Sequence, residues 1–161
     1  MNYANIIPAS AVDFKGWSTV IQLSGCSHFC ESCFNQKAQR YNYGSEFTEE
    51  VYQELVAYAS KPFIANIVIQ GGDGLFHKNV NDCITLCRRL ARELPTKCIV
   101  LFTGYTLVEI QQDLLRSPIL ETIDYLMDGK YRKDLPTKRP FRGSNNQVLH
   151  KLIGGISVEQ N

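Results

Sequence analysis

The chain contains Thr19-Val20-Ile21-Gln22-Leu23-Ser24-Gly25-Cys26-Ser27-His28-Phe29-Cys30-Glu31-Ser32-Cys33, in which an apolar, strand-like run leads into a loop with three cysteines. The cysteines have the spacing C-x3-C-x2-C. Thiolates this close together can hold one iron–sulfur cluster, which usually takes four cysteine ligands. Three ligands leave one iron open, and an open coordination position is what separates catalytic from structural metal sites. The stretch therefore predicts a catalytic cluster directly after a strand.

Two other chemistries are compatible with the cysteine loop. Structural zinc normally takes four ligands, and His28 could supply the fourth, although its place inside the loop makes simultaneous binding awkward. A redox dithiol could use Cys30 and Cys33, but it would leave Cys26 without a role, and that motif normally opens a helix. The spacing favours the cluster over both alternatives.

The remaining cysteines have a simpler explanation. Cys83 and Cys87 lie on an apolar helical stripe, and Cys98 opens an apolar strand-like run. Free cysteine is among the most frequently buried residue types and packs as a small hydrophobe. We therefore predict that these three residues belong to the core and do not bind metal.

Composition restricts the class of protein. The chain has 161 residues, of which 44% are hydrophobic, and this fits one globular domain over residues 1–161. A net charge of +1 gives no reason to expect nucleic acid or a membrane as a partner. No apolar run approaches the roughly 20 residues of a membrane span, and the first residues lack a signal-peptide pattern. We expect a cytoplasmic protein, in which thiols stay reduced.

Strand-like and helical patterns alternate along the chain. The predicted strands are residues 19–23, 65–70, 98–103 and 123–127. The predicted helices run from the N-cap Thr48 to about residue 60, along an apolar stripe over residues 80–94, and over about residues 107–115. This alternation is typical of an α/β fold with a mainly parallel sheet. Four strand–helix units are too few for a closed eight-fold barrel, so we predict a partial, open (β/α) barrel.

Each predicted strand ends in a polar or glycine-bearing turn. These turns are the cysteine loop and residues 71–74, 103–105 and 128–130. In parallel α/β folds the carboxyl ends of the strands form the active face, so the four turns should share one rim. Gly71-Gly72-Asp73 would allow close backbone approach to a ligand with a cationic amino group. Lys130 could bind a carboxylate, although a diglycine turn is often only a turn and a lone lysine is usually solvated.

Residues 131–147 are rich in lysine, arginine, proline, glycine and asparagine and are predicted to be irregular. The basic residues are Lys130, Arg132, Lys133, Lys138, Arg139 and Arg142. Such a segment is either a solvated loop or a docking surface for an acidic partner or nucleic acid.

The chain resembles the glycyl-radical activases of the radical S-adenosylmethionine superfamily, and within them the activating proteins of anaerobic ribonucleoside-triphosphate reductases. The resemblance covers nearly the whole chain. The cysteine triplet identifies only the superfamily, whereas the later motifs point to these activases. The matching segments are Met1-Asn2-Tyr3 with Ile7-Pro8, residues 24–30, Cys33-Phe34-Asn35, Gly71-Gly72-Asp73, Thr103-Gly104-Tyr105, Asp128-Gly129-Lys130-Tyr131, residues 135–138 and residues 142–147.

The resemblance implies a 4Fe-4S cluster on Cys26, Cys30 and Cys33, with S-adenosylmethionine chelating the open iron. A reduced cluster would cleave this cofactor, and the 5′-deoxyadenosyl radical would take hydrogen from a glycine of the reductase large subunit. An electron donor such as a flavodoxin would reduce the cluster. No side chain beyond the cluster and cofactor ligands would be catalytic. The implied cofactor contacts are Phe34, Asn35, Gly71, Gly72, Asp73, Thr103 and Lys130. From its basic charge and its place after the fourth predicted strand, we expect the irregular segment to dock the reductase, with Arg139, Arg142, Asn145 and Gln147 as the docking residues.

Three positions differ from common patterns. Residues 13–18 replace the usual pair of glycines and an arginine, and Gly74 stands where a proline usually follows Gly-Gly-Asp. Ser32 precedes the third cysteine where many radical enzymes have an aromatic residue, and a small residue is typical of this activase group. Two other functions stay open: a small radical enzyme acting on a small molecule, and a non-enzymatic zinc-binding adaptor.

Overall fold

Eight strands form a single open sheet in the computed structural model, which describes residues 1–161. The strands are β1 (Asn2–Ser10), β2 (Trp17–Leu23), β3 (Ser45–Glu46), β4 (Ile64–Gly71), β5 (Cys98–Phe102), β6 (Tyr125–Asp128), β7 (Val148–Ile153) and β8 (Ile156–Gln160). Their order across the sheet is β3-β1-β2-β4-β5-β6-β7-β8. The four predicted strands correspond to β2, β4, β5 and β6, which lie next to one another at the centre.

The predicted mainly parallel sheet is wrong, whereas the α/β class and the open sheet are confirmed. The three pairings among β2, β4, β5 and β6 are parallel. The four outer pairings, which involve β1, β3, β7 and β8, are antiparallel. Short connections join β1 to β2 and β7 to β8, β3 has only two residues, and β7 follows the long segment of residues 129–147. Antiparallel neighbours need no crossover helix, so strand–helix alternation did not reveal these strands. The structure does not confirm a partial barrel.

Three α-helices follow the predicted pattern: α1 (Glu49–Ala59), α2 (Val80–Glu93) and α3 (Leu107–Gln112). The first turn of α1 contains two glutamates, which favour the positive end of the helix dipole. Thr48 occupies the N-cap of α1 but makes no side-chain cap hydrogen bond. Thr106 and Glu109 form a reciprocal capping box at the start of α3. Residues 131–147 contain neither a helix nor a strand, as predicted.

The core has two parts, one on each face of the sheet. The larger part includes buried residues of all three helices, and Cys83 and Cys87 are completely buried there. The smaller part is a row of side chains from the central strands, capped by Phe14 and Phe141. The predicted core positions of Cys83 and Cys87 are confirmed, while Cys98 opens β5 and stays partly exposed.

The parallel register brings four strand ends to one edge of the sheet. Leu23 of β2 lies opposite Gly71 of β4, Ile69 lies opposite Leu101 of β5, and Phe102 lies opposite Met127 of β6. The cysteine loop and the turns at residues 71–74, 103–105 and 128–130 therefore share one rim, as the sequence predicted. We call this edge the rim throughout. None of the helices has the length and apolar character required to cross a bilayer.

Candidate functional site

The cysteine loop, residues 26–33, begins where β2 ends and is held by backbone hydrogen bonds. The N–H of Gly25 donates to the carbonyl of Ala38 at 2.7 Å, and that of Cys26 donates to Gln39 at 3.1 Å. Phe29 and Ser32 have φ of 49° and 57°, so the chain turns sharply between successive cysteines. Left-handed backbone at two residues other than glycine is costly and concentrates at functional sites. The loop is thus built to place its thiols and not merely to connect two elements.

The thiols of the loop lie in a partly desolvated environment. Burial raises the pKa of Cys26 to about 11, although the backbone N–H of His28 donates to its sulfur and opposes this rise. Burial also raises the pKa of Cys30, against a backbone N–H from Tyr131 and the positive charge of Lys130. The charges of Cys30 and Cys33 also raise the pKa of Cys26. All three cysteines are free thiols.

This donor set fits a 4Fe-4S cluster. Three soft thiolates on one loop match the ligand preference of iron–sulfur clusters, and backbone N–H groups directed at the sulfurs are a usual means of tuning them. Desolvated thiols resist ionisation on their own, whereas positively charged irons would stabilise them as thiolates. Cys26, Cys30 and Cys33 would hold the cluster, and no fourth cysteine is near enough in sequence to close the site.

Gly71 and Gly72 contact the strand beside them. Gly71 has a φ of 104°, and a Cβ on it would lie 2.8 Å from the backbone of Leu23. A Cβ on Gly72 would lie 2.6 Å from the carbonyl oxygen of Gly25. The N–H groups of Gly72 and Asp73 donate to Leu23 and Gly25. These glycines therefore let the end of β4 pack directly against the start of the cysteine loop, which is a structural demand in addition to any approach to a ligand.

Asp73 is a buried hydrogen-bond centre with 1% of its surface exposed. Its Oδ1 accepts from the N–H of Leu75 at 2.8 Å, and its Oδ2 accepts from that of Gly104 at 3.0 Å. The Thr103 hydroxyl lies 2.9 Å from both oxygens, and Nε2 of His28 lies 2.7 Å from Oδ2. Asp73 and Thr103, both predicted cofactor contacts, are thus bonded to each other. The carboxylate has little free capacity for a ligand.

His28 belongs to this hydrogen-bonded centre, which bears on the zinc hypothesis. Ligand atoms of Cys26, His28 and Asp73 all lie within 4.8 Å of one another, so the three could in principle surround a metal ion. The Asp73 oxygens, however, already accept from donors on both sides. Nε2 of His28 is hydrogen-bonded to Asp73. The histidine is therefore not placed as the fourth ligand of a zinc site with the three cysteines.

The other predicted cofactor contacts are more exposed. Phe34 is fully exposed, and Asn35 is half-buried just before a short 3₁₀ helix, Gln36–Gln39. Lys130 is exposed, and its charge acts on both Cys30 and Glu109. The structure brings Asp73, Thr103 and Lys130 to the rim, as the sequence predicted. It leaves Phe34 exposed to solvent.

The predicted docking residues hold their own segment together. Arg142 donates to the carbonyls of Gln147 at 3.3 Å and Asn161 at 2.9 Å. Gln147 accepts from the N–H groups of Gly143 and Ser144 and donates to Gly129. Arg139 lies 3.5 Å from acceptors on Asn145 and Asn161. The exposed cations of residues 131–147 are Arg132, Lys133 and Lys138, of which Arg132 and Lys133 pair with carboxylates.

Sequence reasoning missed three residues of the site. The sequence suggests His28 only as a zinc ligand, indicates no role for Tyr131 at the sulfurs, and presents Gly104 only as part of a turn. A signal for His28 was present, because a histidine inside a tight metal-binding loop has few places to direct its ring. The N–H of Tyr131 left no signal, since backbone donors carry no side-chain signature.

Comparisons with known proteins agree with this geometry. A family described as a 4Fe-4S single cluster domain matches residues 12–150. The anaerobic ribonucleoside-triphosphate reductase-activating protein of Enterobacteria phage T4 is 36% identical over 156 residues, covering 97% of both chains. The proteins of the same name from Pasteurella multocida and Escherichia coli are 32% and 35% identical. Those alignments cover 94% of this chain and 98% and 99% of the relatives.

Proposed function

Because the chain belongs to the family of anaerobic ribonucleoside-triphosphate reductase-activating proteins, we propose that it is the iron–sulfur activase that generates a glycyl radical on that reductase. The observation that carries this function is the cysteine loop at the carboxyl end of β2. Its three thiols sit at the rim beside the turns that follow β4, β5 and β6. The 4Fe-4S cluster is the resident cofactor, and the reductase is the protein partner.

S-adenosylmethionine is the proposed second cofactor. When bound near Lys130 and the turn at residues 71–73, it would supply 5′-deoxyadenosyl radical chemistry, which would need one electron from the reduced cluster and would act on a glycine of the reductase. A one-electron donor such as a flavodoxin restores the cluster. In support, Lys130 at the rim offers an exposed cation to a carboxylate, close to Cys30. Gly71 and Gly72 remain half-buried, with backbone groups at the same edge, and Phe34 and Asn35 flank the third cysteine.

Asp73 and Thr103 have an indirect role in this proposal. Their side chains are bonded to each other and to the turn at residues 103–105, so they fix the shape of the rim. The negative charge of Asp73 would attract a cationic amino group while the carboxylate keeps its existing hydrogen bonds. The residues of this chain therefore bind and orient the cofactor, while the hard chemistry belongs to the cluster and the cofactor.

The segment of residues 130–147 is the proposed docking surface for the reductase. It follows β6 at the rim, and Tyr131 contacts Cys30 through its N–H, so the segment adjoins the cluster loop. Arg139, Arg142, Asn145 and Gln147 shape it through hydrogen bonds to its own backbone. Lys138 is exposed on it as a free cation. Together these features suit an acidic protein surface that delivers a glycine-bearing loop.

We further propose that residues 1–161 act as one radical S-adenosylmethionine domain and that the parallel centre of its sheet corresponds to a partial barrel of that type. We also propose that the protein works in the cytoplasm. The single continuous sheet supports the first two statements. Six free thiols in one small chain support a reducing compartment.

The test is glycyl-radical formation in vitro. The protein is reconstituted anaerobically with iron and sulfide, reduced, and mixed with S-adenosylmethionine and the reductase. We expect an organic radical signal on the reductase by electron paramagnetic resonance, none with Cys33→Ala, and an undiminished signal with Cys87→Ala. A zinc adaptor would give no radical with any variant. A radical enzyme acting on a small molecule would consume the cofactor without producing a signal on the reductase, and either result would refute the proposal.

A further inference from the structure

The ring of His28 is buried at the point where three segments of the rim meet. Only 7% of its side chain is exposed, although it lies in a loop whose other intervening residues are largely exposed. The ring stands edge-on to that of Tyr105, with centroids 4.6 Å apart. Nε2 lies 2.7 Å from Oδ2 of Asp73. One side chain of the cysteine loop therefore touches both the turn after β4 and the turn after β5.

Gly104 leaves the space that the ring occupies. A Cβ at this position would lie 2.3 Å from Cδ2 and 2.5 Å from Nε2 of His28. Gly104 is not among the residues with a left-handed backbone, so its conformation does not require glycine. The three atoms nearest to such a Cβ all belong to the histidine ring. The glycine of Thr103-Gly104-Tyr105 thus serves as the socket for His28.

The direction of the hydrogen bond follows from the surroundings of Asp73. Its oxygens accept from the N–H groups of Leu75 and Gly104 and from the Thr103 hydroxyl. A carboxylate among so many donors is an acceptor only, so Nε2 of His28 carries the hydrogen and donates it. The backbone N–H of the same histidine donates to the sulfur of Cys26. His28 therefore links the first cysteine of the loop to Asp73 in two bonds.

We propose that His28 is a positioning residue that fixes the cysteine loop against the turns after β4 and β5, so that cluster and S-adenosylmethionine meet in one defined relation. The inference rests on the proposed function and assigns the histidine inside C-x3-C to orientation and not to metal binding. Groups that orient a metal ligand typically change affinity or activity by about 10–100-fold when they are removed. The three cysteines stay intact when His28 is replaced, so the cluster should survive while cofactor binding suffers.

The experiment compares His28→Leu with His28→Gln after anaerobic reconstitution. Leucine removes the donor, whereas the side-chain amide of glutamine can donate to Asp73 from a similar place. For His28→Leu we expect wild-type iron and sulfide content, a dissociation constant for S-adenosylmethionine raised at least about tenfold, and a smaller cofactor-induced change in the spectrum of the reduced cluster. His28→Gln should recover most of the affinity and of the spectral change. The exposed His77, replaced by leucine, is the matched control and should behave as wild type.

A second variant approaches the ring from the opposite side. Gly104→Ala leaves the cysteine loop unchanged but fills the socket, so it should weaken cofactor binding as His28→Leu does. The two changes combined should cost less than the sum of the single effects, because they disturb one contact. Fully additive effects would contradict a direct contact between residue 104 and the ring of His28.

The outcomes separate two failures. Wild-type protein that binds no S-adenosylmethionine would refute the proposed function and the positioning role with it. Normal affinity and a normal spectral change in His28→Leu, beside normal wild-type binding, would refute the positioning role alone. Loss of iron in His28→Leu would also refute it, because the histidine would then be needed to retain the cluster and not only to orient it toward the cofactor.

Discussion

Gly74 follows the site aspartate where the related activases usually have a proline, and the structure gives a packing reason for the glycine. A Cβ on Gly74 would lie 2.7 Å from the sulfur of Cys83, on the buried face of α2. The same Cβ would lie 3.3 Å from Cδ1 of Leu101 and 3.5 Å from Cδ1 of Leu23, which are close to ordinary contacts. All three neighbours are completely buried. The Cys83 thiol therefore occupies the space that any side chain at position 74 would need.

We predict that Gly74→Ala destabilises the protein and that Cys83→Ala removes the penalty. Overpacking a well-filled core costs about 1–3 kcal/mol. Gly74 has no left-handed φ, so alanine restricts the unfolded chain and should stabilise by about 0.4–1 kcal/mol once the clash is gone. Cys83→Ala alone should cost about 1 kcal/mol from the lost burial of one small group. The double variant should then be no less stable than Cys83→Ala.

Urea denaturation of the unloaded protein under reducing conditions measures these free energies. With a slope of about 1–3 kcal/mol per molar for a protein of this size, a penalty of about 2 kcal/mol moves the midpoint by about 1 M. Cys87→Ala is the control, because this thiol is equally buried on the same helix but is not among the close neighbours of Gly74. An equal cost of Gly74→Ala with Cys83 present and absent would refute the packing explanation.

Two further predictions concern the rim. Lys130→Ala should raise the dissociation constant of S-adenosylmethionine by about tenfold or more, since hydrogen bonds to charged groups contribute about 1.5–3 kcal/mol. Its iron content should stay normal. Unchanged affinity in an anaerobic binding titration would exclude this contact. Arg139→Ala combined with Arg142→Ala should weaken reductase binding most at low salt, because high salt already screens these charges in the wild type. The double variant should also have a lower melting temperature, because Arg142 donates to the carbonyls of Gln147 and Asn161. Lys138→Ala removes an exposed charge that makes no such hydrogen bonds. If this variant binds the reductase less tightly but keeps a normal melting temperature, the charge itself contributes to docking. Normal binding in Lys138→Ala and in the double arginine variant would exclude the segment as the docking surface.

The central strands and the helices could be predicted because each has a strong local pattern. The apolar runs that became β2, β4 and β5 are bounded by glycine or polar turns, and the stripe of α2 has a helical period. The carboxyl-end rule then placed all four turns on one rim. β1 and β7 left weaker signals, because β1 is interrupted by Pro8 and is mostly half-buried, and β7 follows an irregular segment. Their pairing depends on tertiary contacts that no local pattern contains.

At the site, the sequence predicted which residues gather but not how they bond. The cysteine triplet carries its chemistry in its spacing, so the metal site was accessible from the sequence. The sequence predicts Asp73 as a contact of a ligand's amino group but does not reveal that Thr103, Gly104, Leu75 and His28 surround its carboxylate. Spacing cannot reveal this, since the partners come from three separate turns. The same reason hid the match between Gly104 and the histidine ring.

The central claim is that Cys26, Cys30 and Cys33 together hold one 4Fe-4S cluster and that the other three cysteines do not. Iron and sulfide content per chain after anaerobic reconstitution of single Cys→Ala variants tests it directly. We expect about four irons and four sulfides per chain in wild type, Cys83→Ala, Cys87→Ala and Cys98→Ala, and a large loss in each loop variant. A full cluster in Cys30→Ala, or loss of the cluster in Cys87→Ala, would contradict it.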